Sequence, residues 1–302
     1  MIVPAGRVAV AKAVLIAGPT ASGKSRLALA LATAADRPAV IVNADSMQVY
    51  GGLRILPARP SDSEMQEIPH RLFGHVAPAT RYSAGAWFSD AGRVLAEAEA
   101  SGALPIVVGG TGLYFRALEG GLAAMPRIPP ALRAELSAWL AEEGPDALRR
   151  RIEAVDPQGA SKIRPSDTQR LLRALEVFEA TGRPLASWQE AGAGCPLVEP
   201  AATLRIVLAP DRAELYRRID ARFDAMLEEG ALDEVRALRA QALDPALPAM
   251  RAIGVRELAA HLQGSLALAN AVAAAKAASR RYAKRQETWF RNQMPDWERL
   301  PA

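Results

Sequence analysis

Residues 18 to 25 read GPTASGKS, directly after the apolar run Ala13-Val14-Leu15-Ile16-Ala17 and directly before the leucine- and alanine-rich stretch Arg26 to Leu31. That order of strand, glycine-bearing loop and helix is a complete phosphate-binding loop in its required context, and it commits the chain to an α/β architecture. Gly18 and Gly23 let the backbone of Pro19-Thr20-Ala21-Ser22 curl so that the successive N–H groups after Pro19, which has none itself, turn into one concavity. Lys24 adds a point charge, the Ser25 hydroxyl suits a Mg²⁺ ion, and the following helix aims its positive N-terminal end at the same spot. The loop alone serves a nucleotide and any other polyphosphate equally well.

Further strand-like segments occur at 39–42, 105–108 and 204–208, with helical patterns between them. Such alternation predicts a P-loop NTPase-like parallel sheet with covering helices. Ligands of open parallel sheets bind beyond the carboxyl ends of the strands, so the loops beginning at Gly18, Asp45, Gly109 and Ala209 are expected to converge on one crevice. From about residue 125 the texture changes. Pro126, Pro129 and Pro130 punctuate the chain, charged amphipathic segments follow at 131–140 and 168–180, and a Gly/Pro-rich stretch at 192–200 precedes the next strand. This predicts an inserted all-helical domain over 125–202 within a discontinuous core of 8–124 and 203–302. The remainder, 211–294, reads as mostly helical, with Asp211 an N-cap and Gly230 and Gly254 local breaks.

With 302 residues, half of them hydrophobic, the chain can build a well-buried core; its net charge of +4 points to a local basic surface rather than a polyanion coat. A single cysteine, Cys195, excludes an intrachain disulfide and reads as an incidental loop residue in a reducing, cytoplasmic compartment. No signal peptide or membrane span is expected, since the Ala-rich stretch 266–279 is interrupted by Asn270 and Lys276.

Three further clusters carry chemistry. The second strand runs into Asn43-Ala44-Asp45-Ser46-Met47-Gln48, which makes Asp45 a candidate general base or metal ligand, or simply a helix-capping carboxylate. The third ends in Gly109-Gly110-Thr111-Gly112, where the backbone and the Thr111 hydroxyl can contact a departing diphosphate. Basic residues gather in Ser279-Arg280-Arg281-Tyr282-Ala283-Lys284-Arg285 through Arg291, interleaved with aromatics, and Arg170 and Arg173 share a face of the inserted block. Two basic surfaces point to a nucleic-acid substrate, although a basic run by itself also describes a solvated helix face.

The segments GPTASGKS (18–25), NADSMQVY (43–50), PHRL (69–72), VGGTGLYFRAL (108–118), DTQRLLRALEVFEATGRP (167–184) and YAKRQETWFR (282–291) closely resemble, in order, those of the tRNA dimethylallyltransferases, also called isopentenyl transferases. The resemblance implies a P-loop core with an inserted helical tRNA-gripping domain. It implies transfer of a dimethylallyl group from dimethylallyl diphosphate to the exocyclic amine of adenosine 37 in the anticodon stem-loop, by a bacterial-type, monomeric enzyme with Mg²⁺ as its only metal. Residue by residue, Asp45 matches the family's general base and Thr111 the threonine near the reacting centre. Thr20 to Ser25 match the diphosphate-binding residues, and Lys24 and Thr111 are expected to stabilise the leaving group with help from Arg280 and Arg285. The tRNA-contacting matches are Asp45-Ser46-Met47-Gln48, Thr111, Arg133 and Gln169-Arg170-Leu171-Leu172-Arg173.

Two segments depart from the family pattern: Leu56-Pro57-Ala58-Arg59 stands where Gly-Thr-Ala-Lys is expected, and Ile253-Gly254-Val255 where Ile-Gly-Tyr is expected. Competing readings remain at this level. A P-loop kinase or NTPase shares GPTASGKS, an enzyme prenylating free adenine nucleotides shares the core chemistry, and a non-catalytic RNA-binding module would use only the basic helices.

Overall fold

The computed structural model describes residues 5–123, 125–191 and 194–301. Residue 124 at the predicted domain boundary, residues 192 and 193 of the predicted link, and the terminal residue 302 lie outside them. In chain order the elements are α1 (Ala5–Val10), β1 (Ala13–Ala17), α2 (Lys24–Thr33), β2 (Ala39–Asn43), α3 (Asp62–Glu67), β3 (His70–Arg71), α4 (Ala84–Ala100), β4 (Leu104–Gly109) and α5 (Gly112–Gly120). The helical block follows as α6 (Pro130–Val155), α7 (Pro157–Ser161), α8 (Thr168–Thr181) and α9 (Leu185–Ala191). Then come β5 (Thr203–Leu208), α10 (Arg212–Glu228), α11 (Ala231–Ala240), α12 (Val255–Leu262), α13 (Leu268–Gln293) and β6 (Glu298–Leu300).

The six strands form one all-parallel sheet in the order β3-β2-β4-β1-β5-β6. Helices cover both faces, so β1, β2 and β4 are buried throughout and read as unbroken apolar runs rather than alternating ones. Alternation reappears in which core each residue joins. Val14, Ile16, Ile41, Ile106 and Ile206 pack with Ala28 and Leu31 of α2. Leu15, Val42, Val107 and Val207 pack on the other face with Trp87, Phe115 and the C-terminal helices. The four expected strands are all present. The two edges, β3 and β6, were not anticipated, because two- and three-residue strands carrying His, Arg and Glu show no hydrophobic period; such short, charged edges also resist pairing with another chain.

The chain divides into two compact units, 1–119 with 197–302, and 120–196. The boundaries lie earlier than the 124 and 202 placed from the sequence, because Leu197 and Val198 both donate backbone N–H groups to the Leu118 carbonyl and so join the sheet unit. The helical unit has its own core, with Leu136, Leu148, Ile152, Leu171 and Leu175 fully buried. Within α6 the chain kinks at Gly144, whose φ of 79° breaks the helix just before Pro145.

Candidate active site

The phosphate loop starts where β1 ends. Gly23 takes φ 86° as the residue preceding α2, Ala21 is also left-handed at φ 63°, and Lys24 and Ser25 open the helix. The Lys24 ammonium donates back to the Pro19 carbonyl at 3.3 Å. Ser22 is fully buried beside Gly18, and its hydroxyl has no hydrogen-bond partner. Burial lowers the Lys24 pKa to about 8; the nearby Asp45 carboxylate pulls it up and the Arg222 guanidinium pushes it further down.

Asp45 follows β2 and is held by its own backbone neighbourhood. The buried Asn43 side chain accepts the Asp45 N–H at 2.8 Å and donates to the Asp45 carbonyl at 2.9 Å, while Asp45 Oδ1 accepts the Met47 N–H at 2.9 Å. The second carboxylate oxygen is left facing the Gly109–Thr111 turn: a Cβ built on Gly110 would lie 3.3 Å from it. That turn is bonded to the Asp45 segment at two points, Thr111 N–H to the Ala44 carbonyl at 3.1 Å and Ser46 N–H to the Thr111 hydroxyl at 2.9 Å. Close approach explains Gly109, since a Cβ there would sit 2.1 Å from the Ala44 backbone.

A cavity of about 250 Å³ opens between these loops and the helices α10 and α13. Its polar side is made by Thr20, Asp45, Ser46, Arg222, Tyr282 and Arg285, and its apolar side by Met47, Leu56, Pro57, Phe223, Met226 and Ile253. Burial and the Asp45 charge raise the pKa of Tyr282, and the same causes act on Tyr114, which stacks on Trp87 at 4.0 Å. The site thus joins an anion cradle with the cations Arg222, Arg251 and Arg285, a fixed carboxylate and an apolar wall, which suits a substrate with a diphosphate at one end and a small apolar group at the other.

Of the four strand ends expected to converge, those leading into Asp45 and Thr111 are hydrogen-bonded to each other, and the end of β5 lies against the phosphate loop, a Cβ on Gly18 standing 3.2 Å from Leu208 Cβ, while the Ala209 N–H pairs with the Leu300 carbonyl of the edge strand. Arg285 lines the cavity and lies over the Tyr282 ring, whereas Arg280 is held by both carboxylate oxygens of Asp220 at 2.5 and 2.7 Å and does not reach the cavity. The Nε2 of Gln48 donates to the carbonyls of Pro57 and Ala58, fastening the divergent loop. In the helical unit, Gln169 and Arg170 are exposed, and Arg133 and Arg173 flank the buried Glu176, each donating to one of its oxygens at 3.2 and 3.3 Å. Leu171 is fully buried in the core of that unit and Leu172 packs against it, so the side chains of this stretch that reach the surface are the polar ones.

Two site residues escaped the sequence reading. Arg222 donates to the Thr20 hydroxyl, and burial lowers its pKa while the Asp45 charge opposes that shift. Gln286 is buried on α13, where its oxygen accepts the Thr20 N–H at 3.0 Å and its nitrogen donates to the Gly110 carbonyl at 2.9 Å. Signals for both exist in retrospect: Arg222 interrupts the apolar stripe Ile219-Phe223-Met226, and Gln286 sits four residues after Tyr282 on the same helix face.

Among the described residues no group of three or more His, Cys, Asp and Glu side chains could hold a metal by itself. Ser25, in the first turn of α2 after the phosphate loop, is a hydroxyl donor of the kind a Mg²⁺ ion accepts when most of its ligands are phosphate and water oxygens.

The chain matches the family model for IPP transferase over residues 48–293 and that for isopentenyl transferase over 11–74. It is 56% identical over 292 residues to a tRNA dimethylallyltransferase of Chelativorans sp. (strain BNC1), covering 96% of this chain and 99% of that one. A tRNA dimethylallyltransferase of Methylobacterium nodulans is also 56% identical, over 96% of this chain and 95% of its own. Among solved structures, a eukaryotic dimethylallyltransferase acting on tRNA superposes with a TM-score of 0.78 at 27% identity, covering 96% of this chain and 73% of that one. The full-length tRNA isopentenylpyrophosphate transferase of Bacillus halodurans gives 0.68 at 34% identity, with 96% and 89% covered. On sequence and fold together, this chain belongs to the IPP transferase family.

Proposed function

We propose that this protein transfers a dimethylallyl group from dimethylallyl diphosphate to N6 of the adenosine at position 37 of tRNA, next to the anticodon, and releases diphosphate. The observation that carries this reading is that the phosphate loop, Asp45 and an apolar wall open onto one cavity.

An adenine amine is a weak nucleophile because its lone pair is delocalised into the ring, so the reaction needs a strong electrophile and removal of a proton. The allylic C1 supplies the electrophile: the C1–O bond to diphosphate breaks, the N6–C1 bond forms, and the amine proton goes to Asp45. As negative charge grows on the diphosphate, Lys24, Arg222, the loop N–H groups and Thr111 stabilise it in place, and Arg285 adds a cation at the cavity. A Mg²⁺ ion held through Ser25 and the phosphates would neutralise further charge on the leaving group. Asp45 needs no reorientation to accept the proton, since Asn43 and the Met47 N–H fix it. The target base must leave the anticodon-loop stack, at a cost of about a few kcal/mol, and Ser46, Met47 and Tyr282 line the space that would receive it. In the helical unit Arg133, Arg170 and Arg173 provide cations for RNA phosphates.

The protein is proposed to act as a cytoplasmic monomer; among the described residues no helix is long and apolar enough to cross a membrane. Incubation with Mg²⁺, dimethylallyl diphosphate and either an anticodon stem-loop bearing three adjacent adenosines or free AMP, followed by mass spectrometry, tests the reading. Prenylated adenosine on the stem-loop alone is the expected result. Product on AMP alone would move the activity to free nucleotides, and rapid ATP hydrolysis without a prenyl donor would favour an NTPase.

A further inference from the structure

Part of the cavity's apolar wall comes from Phe223 and Met226 of α10, and part lies outside any regular element. Leu56 and Pro57 belong to the irregular segment 51–60, whose shape is imposed from outside by two side chains. Glu234 of α11 takes three successive backbone N–H groups: Arg54 at 2.5 Å and Ile55 at 2.8 Å on Oε1, and Leu56 at 2.9 Å on Oε2. Gln48 takes the next two carbonyls, Pro57 and Ala58. Leu56 is pressed from behind, since a Cβ on Gly254 would stand 2.8 Å from its Cδ2. A half-buried carboxylate serving only backbone donors, far along the chain from every phosphate- and base-contacting motif, has no role in the chemistry described above.

The cavity is small. Its volume of about 250 Å³ falls below the ~300–1,000 Å³ usual for small-molecule pockets, so a modest displacement of Leu56 and Pro57 changes what fits. Building on the proposed prenyl transfer, we infer that Glu234 is a positioning residue for that reaction: by clamping 54–56 it sets the Leu56–Pro57 wall, and so fixes both the affinity for a five-carbon allylic diphosphate and the exclusion of longer chains. Glu234 touches neither substrate nor the reacting atoms. Its effect passes through three backbone bonds, which only an acceptor with two oxygens at this reach can supply.

Glu234→Ala, Glu234→Gln and Leu56→Ala are compared with the wild type, using stem-loop RNA and either dimethylallyl diphosphate or its ten-carbon homologue as donor. Glu234→Ala is expected to raise KM for the five-carbon donor about tenfold while leaving kcat and the RNA KM nearly unchanged. Relative use of the ten-carbon donor should rise. Glu234→Gln keeps one acceptor oxygen and should recover part of the donor KM. Leu56→Ala leaves all three clamp bonds in place and should relax chain-length discrimination with the 54–56 amides still protected from hydrogen exchange; in Glu234→Ala those amides should exchange faster while the sheet stays protected. An unshifted donor KM in Glu234→Ala, or kcat and KM lost together with loss of sheet protection in both Glu234 variants and unchanged discrimination in Leu56→Ala, overturns the inference. Absence of transfer by the wild type would instead overturn the proposed function on which it rests.

Discussion

Gln286 and Thr20, separated by most of the chain, are joined by a 3.0 Å hydrogen bond from the Thr20 N–H to the Gln286 side-chain oxygen. Because the other end of the same amide holds the Gly110 carbonyl, one side chain of α13 ties the phosphate loop to the turn after β4. An amide suits this place, since the site asks for one acceptor and one donor.

Gln286→Leu should therefore leave two buried backbone groups unpaired, at about 1–3 kcal/mol each, read as a lowered Tm. Gln286→Glu keeps the acceptor but sets a carboxylate into the anion cradle, and the donor KM should rise about tenfold or more. Equal donor KM values for wild type and Gln286→Glu would show that the tie lies outside the reach of the diphosphate.

Asp45→Asn retains the acceptor for the Met47 N–H and removes only the basicity. Turnover should fall by about 10²- to 10⁴-fold, with RNA affinity unchanged in a filter-binding or anisotropy assay. A large affinity loss at unchanged kcat would reassign Asp45 from proton acceptor to RNA contact.

Lys24 must be charged to hold the diphosphate, and its pKa in the free protein is lowered to about 8. In the folded protein the ammonium thus loses its proton well below the ordinary lysine range, so kcat/KM for the prenyl donor should fall as pH rises through about 8. Lys24→Arg should abolish that limb even where it costs activity. A profile flat into the alkaline range in the wild type would remove Lys24 as the governing group.

Within one turn of α8, Arg173 and Leu171 should behave oppositely. Arg173→Gln is expected to weaken RNA binding across sequences and reduce the salt slope by about one. Leu171→Ala, truncating a fully buried side chain, should cost about 2–5 kcal/mol of stability in the helical unit and leave the slope unchanged. Loss of salt dependence in Leu171→Ala rather than Arg173→Gln would reverse the assignment of this face.

The sequence by itself determined what short-range chemistry determines. GPTASGKS reads as an anion-binding turn between a strand and a helix start; the apolar runs at 13–17, 39–42, 105–108 and 204–208 read as strands of a sheet with covering helices; Asp211 reads as an N-cap and Gly230 and Gly254 as local breaks, and the structure puts Asp211 before α10 and the breaks immediately before α11 and α12. Family resemblance added roles for Asp45 and Thr111, and these two segments do meet, through the Ser46 N–H and the Thr111 hydroxyl. Only the tertiary structure decided which of many arginines are engaged elsewhere. Arg280 pairs with Asp220 while the unremarked Arg222 is buried at the phosphate loop, because pairing and burial depend on which helix faces the sheet end. It also decided that Leu171 belongs to a core, that Gln48 fastens a loop, and that Gln286 and Glu234 each shape the site from a helix distant in sequence. Their partners are mostly backbone groups far along the chain, and no local pattern of residue types encodes such a partnership.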